Sequence, residues 1–87
     1  MNVRVVSAPF DRIGIIACRD GTLIEVFLPT YADIIMSEQQ LLAYQKPYLI
    51  SRVIKVDDRP VCLDEVLKLY WDEAVEILAL IRKHSKV

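Results

Sequence analysis

The chain has 87 residues, 54% of them apolar and 26% charged, with eleven Lys and Arg against twelve Asp and Glu for a net charge of −1. That length holds one domain, residues 1–87, and the charge balance argues against a nucleic-acid or anionic-membrane binder. The two cysteines, Cys18 and Cys62, stand at no metal or redox spacing.

The apolar share is high for a domain of this size, which hides only about 60–65% of its unfolded surface. It predicts that a protein partner or a homo-oligomer covers the surplus, so that the purified chain is not a free monomer. Each cysteine lies among apolar neighbours, which predicts buried free thiols in a reducing compartment. The start, Met1-Asn2-Val3-Arg4-Val5-Val6, lacks the apolar core of a signal peptide, and no apolar run has the length of a membrane span. These features predict a soluble, cytoplasmic protein.

In chain order, Asn2–Ser7 is Val-rich and predicts a strand that ends at Pro9. Residues 13–19 and 22–28 flank Asp20-Gly21, a dipeptide that favours a two-residue type I′ hairpin. Pairing Arg19 with Thr22 then sets the register. It puts Ile13, Ile15, Ala17, Ile24, Val26 and Leu28 on the core face. The opposite face, with Gly14, Ile16, Cys18, Leu23, Glu25 and Phe27, is more apolar than solvent requires.

Thr30-Tyr31-Ala32-Asp33 has capping-box spacing and predicts a helix over about 31–45, with Ser37 as an alternative start. Pro47 stops or kinks it. Residues 48–56 are ambiguous between strand and helix. Pro47 in a first turn and the polar Ser51-Arg52 step favour a helix over about 48–55. Asp57-Asp58-Arg59-Pro60 predicts a turn.

From Val61 to His84 there is no Gly or Pro, and Leu63, Leu67, Tyr70, Ala74, Ile77 and Ile81 repeat at 4-3-4-3-4, one apolar seam along a helix. Val66, Val75 and Leu78 widen it. The stretch is one helix or two; an N-cap at Asp72 favours two, about 63–70 and 71–84. The fold class that follows is α+β. An N-terminal antiparallel hairpin or three-stranded meander, about 2–28, packs on three to four short helices.

Groups that could do chemistry are few. His84 falls in a solvated tail, and neither cysteine has a His or Lys partner close in sequence. The acidic pairs Asp57-Asp58, Asp64-Glu65 and Asp72-Glu73 could hold a divalent metal. Turn and helix-start chemistry explains each of them better. Lys46, Arg52, Lys55 and Arg59, with Tyr44 and Tyr48 interleaved, resemble a nucleic-acid surface in miniature. Asp57 and Asp58 beside them favour a solvated face instead. No catalytic residue, metal site or cofactor is expected. Seen down a continuous helix, Leu69, Glu73, Glu76 and Leu80 fall on the side opposite the seam. With Phe27 on the second hairpin face, they form the expected partner interface, and Leu80 is its anchor.

The hairpin is followed by Leu28-Pro29-Thr30-Tyr31-Ala32-Asp33-Ile34-Ile35, then by Leu49-Ile50-Ser51-Arg52-Val53-Ile54-Lys55-Val56-Asp57, then by a helical end with Leu63, Leu67, Asp72 and Ile77. Over about residues 22–84 this order resembles the small baseplate-hub and tail-assembly chaperone proteins of contractile-tailed bacteriophages. It departs from them after Asp57, where Asp58-Arg59-Pro60 replaces Gly-like turn chemistry. The resemblance implies a non-enzymatic role in assembling a tail or baseplate-like particle, in the host cytoplasm or in the particle itself. It transfers no functional residues. The alternative is a small regulatory or inhibitory binding protein, such as an antitoxin or a phage inhibitor of a host machine.

Overall fold

A computed structural model describes residues 12–84; the strand expected over Asn2–Ser7 lies outside them. The fold is α+β. A four-stranded antiparallel sheet has the order β1 (Arg12–Ala17), β2 (Leu23–Phe27), β3 (Ile54–Val56) and β4 (Arg59–Pro60). Helices α1 (Tyr31–Glu38) and α2 (Gln45–Val53) lie between β2 and β3, and α3 (Leu63–Leu67) and α4 (Trp71–His84) follow β4. The meander is thus completed by β3 and β4 from the second half of the chain.

The hairpin register is one residue away from expectation. Ile16 pairs with Ile24 and Ala17 with Leu23, leaving Arg19-Asp20-Gly21 as a three-residue loop. The Cys18 N–H donates to the Thr22 carbonyl at 2.8 Å and the Gly21 N–H to the Cys18 carbonyl at 3.0 Å. Gly21 supplies the positive φ, +89°, that closes such a loop. A one-residue slip exchanges the faces of one strand. Ile16 is therefore core, whereas Ile15 and Ala17, expected inside, are exposed, as is Leu28. Ile13 still packs on the core because a bulge between Arg12 and Gly14 turns it back.

The two-residue turn with both φ positive occurs instead at Asp57 (52°) and Asp58 (63°), joining β3 to β4. Asp tolerates this region because its short side chain can bond locally. Arg59 and Pro60, expected in the turn, form the edge strand, where a missing N–H is harmless.

Thr30 caps α1 as the sequence predicts. Its Oγ1 accepts from the Asp33 N–H at 3.2 Å, and Asp33 Oδ2 accepts from the Thr30 N–H at 2.9 Å. The helix expected to reach residue 45 stops at Glu38, and Leu42–Tyr44 form a 3-10 turn. The Gln45 side chain donates to the Glu38 and Gln40 carbonyls and so satisfies that end. Ser37 starts no helix; it is buried in α1, its hydroxyl on the Ile34 carbonyl. Pro47 sits in the first turn of α2. The helix expected to run to about residue 55 ends at Val53, since Ile54 and Lys55 pair with Val26 and Glu25 on the free edge of β2.

The C-terminal stretch is two helices, but the break falls at Lys68-Leu69-Tyr70 and Asp72 is not the cap. Glu73, in the first turn of α4, reaches back to the Tyr70 N–H at 3.0 Å. The core comprises Ile16, Ile24, Val26, Ile50, Val53, Ile54, Val61, Val66, Ile77 and Ile81, with α4 lying across β1 and β2. Leu67, Tyr70 and Val75 leave the expected seam and are exposed: the break separates Leu67 and Tyr70 from α4, and Val75 lies on the side of α4 opposite Ile77. Among the described residues no helix is long and apolar enough to cross a membrane.

Candidate interaction surface

Two features converge at the start of α4. The first is Glu73, which the sequence placed on an exposed face and which is buried. One carboxylate oxygen takes the Tyr70 N–H and the other takes the Arg19 N–H, each at 3.0 Å. A buried carboxylate persists only with such partners. Here it ties the β1–β2 loop to the α3–α4 corner. Arg19 adds two contacts of its own: Nη2 meets Asp72 Oδ2 at 3.0 Å, and the guanidinium lies 4.5 Å from the centre of the Tyr70 ring. Burial, reinforced by the nearby Glu73 carboxylate, pushes the Cys18 thiol up to about 11. Cys18 therefore stays protonated at neutral pH and is no thiolate nucleophile.

A cleft of about 660 Å³ opens beside this junction, between both hairpin turns and the α3–α4 corner. Ile24, Ile54, Val61 and Leu69 form its apolar wall. Its two guanidinium groups are already engaged, Arg19 with Asp72 and Arg59 with Glu65.

The second feature is an apolar ridge facing solvent. Trp71 is 82% exposed, Tyr70 58%, Leu67 51% and Val75 42%. Trp71 and Val75, four residues apart, share one side of α4. Ala79 and Arg82 continue that side, and both are exposed. Single exposed apolar residues are ordinary on protein surfaces. Trp and Tyr are the residue types enriched at protein interfaces relative to the rest of a protein surface.

Of the residues expected at the interface, Leu69 and Leu80 pack on the core, Glu73 is buried, Phe27 is half-buried beneath the Lys55 ammonium, and Glu76 is exposed. Leu80 turns inward because Gly14 has no side chain: a Cβ there would lie 2.7 Å from Leu80 Cδ1. The sequence shows Trp71 but not its exposure, since a Trp beside an apolar seam looks like core.

The remaining candidates resolve locally. Asp57-Asp58 form the β3–β4 turn, while Asp64-Glu65 and Asp72-Glu73 stand in the first turns of α3 and α4. No group of three His, Cys, Asp or Glu that could hold a metal occurs among the described residues. Lys46 and Arg52 lie on α2, Lys55 on β3 and Arg59 on β4. Arg52 Nε is spent on the buried Asp33 at 2.9 Å and Arg59 Nη2 on Glu65 at 3.1 Å. Cys62, expected to be buried, is exposed, since it sits just ahead of α3. His84 ends α4 on the surface, with Nδ1 at 3.1 Å from the Leu80 carbonyl oxygen. No family model matches the chain, and no curated protein or solved structure matches it at a significant level.

Proposed function

We propose that this protein is a non-enzymatic protein–protein interaction module working through the α3–α4 corner and the outward side of α4. The observation that carries the reading is Trp71, 82% exposed and flanked by Leu67, Tyr70 and Val75. Leaving that much apolar surface in water forgoes about 25 cal/mol per Å² of possible burial. Covering it is the main source of affinity a small domain can offer, and Trp and Tyr are the residue types in which binding energy concentrates.

The finer form of the proposal is an assembly component of a phage tail or baseplate-like particle, which rests on the sequence resemblance. Photo-crosslinking from position 71 in producing cells, with position 46 as a remote control, tests the coarse and fine readings together. Adducts that form from 71 and not from 46 support the interaction surface. Tail or baseplate subunits in those adducts support the particle role, whereas a toxin or a host enzyme supports the regulatory alternative. Equal labelling from both positions refutes the surface.

A further inference from the structure

We propose that the outward side of α4 pairs antiparallel with the same side of a second copy of this chain. The proposal rests on the interaction-module reading and names its partner. Trp71, Val75, Ala79 and Arg82 run down one side of α4 and all are exposed. Along one flank of that stripe lie Glu76 and, one heptad later, Lys83. Neither has an ion-pair partner among the described residues.

The sign change along this flank fixes both the partner and its direction. When two identical helices pair antiparallel about a two-fold axis, each flank faces the same flank of the other copy. Glu76 of one copy then meets Lys83 of its partner, and the axis repeats the contact in reverse. A parallel pair would set this flank against the opposite one, where Ala74 and Leu78 offer no charge. Ala79, close to midway between Glu76 and Lys83, falls at the axis, where a methyl side chain lets the helices approach to about 8 Å. Val75 then packs against the Arg82 stem of the second copy.

Light scattering coupled to size exclusion, over a wide range of protein concentration, tests the pairing on the full chain. The wild type should reach the mass of two 10.0 kDa chains. Glu76→Lys and Lys83→Glu should each keep the wild-type circular-dichroism spectrum and run at the mass of one chain, because like charges then face each other. Mixed in equal amounts, the two variants should regain the mass of two chains, since every facing pair is again opposite in sign. That rescue separates pairing from damage to the fold. A wild type that stays monomeric, a dimer that neither substitution weakens, or a mixture that stays monomeric would each overturn the proposal. A monomeric wild type that still crosslinks from position 71 to another protein removes the self-pairing and leaves the interaction module standing.

Discussion

Gly14 and Leu80 form one packing unit, so their substitutions should not add. The Gly14 φ lies outside the left-handed region, so alanine meets no backbone strain there; the obstacle is Leu80. A Cβ on residue 14 would stand 2.7 Å from Leu80 Cδ1, 3.2 Å from Cδ2 and 3.5 Å from Cγ. The distance to Cγ is ordinary contact, but both methyl groups stand too close, so the Leu80 side chain must leave its packed position. Overpacking of this kind costs about 1–3 kcal/mol. The lost chain entropy of the unfolded state returns about 0.4–1 kcal/mol. Gly14→Ala should thus destabilise by about 1 kcal/mol, which lowers the melting temperature by about 4–8 °C in a domain of this size.

Leu80→Ala alone should cost about 2 kcal/mol, the low end for a buried leucine because Leu80 is only half-buried. In the double variant the new methyl enters space that Leu80 has vacated. It should therefore be no less stable than Leu80→Ala, a coupling of about 1 kcal/mol. Urea unfolding followed by circular dichroism measures all four corners of this cycle. If Gly14→Ala costs the same in the wild type as in the Leu80→Ala variant, the contact and the inward placement of Leu80 are both refuted.

Glu73→Ala removes the acceptor of two N–H groups at the loop–helix junction, at about 1–3 kcal/mol for each one left without a partner; amide hydrogen exchange at Arg19 and Tyr70 should speed up, and unchanged protection would mean that Glu73 is dispensable. Gly21→Val should cost about 1–2 kcal/mol, because a β-branched residue resists φ of +89° while space at the position is open. Gly21→Asn should recover most of that loss, and equal melts for the two would place the strain elsewhere. Arg59, helped by the Cys62 N–H, holds the Glu65 carboxyl at about 2. A depressed carboxyl gives stability that is full above its unfolded value near 4.5 and is lost as pH falls towards 2. Glu65→Gln should flatten that part of the acid unfolding curve, and high salt should shrink the difference because the pair is exposed.

The amino-acid sequence by itself carried the α+β class, the Thr30–Asp33 cap and the first-turn position of Pro47, the last two set by neighbours within a few residues, but it left the C-terminal stretch open between one helix and two. Local chemistry did not decide the hairpin register. Gly21 at positive φ serves a two-residue or a three-residue loop equally well, and what separates them is which of Ile15 and Ile16 the core receives. The tertiary structure settles this by laying α4 across β1. There Gly14 leaves room for Leu80, and Glu73 is drawn in to bind the Arg19 N–H of the loop. The same contacts turn the buried sector of α4 towards Glu73 and Leu80 and leave Trp71 and Val75 in water. Helical periodicity fixes which residues share a side, but only the shape of the opposing sheet selects the side that is buried.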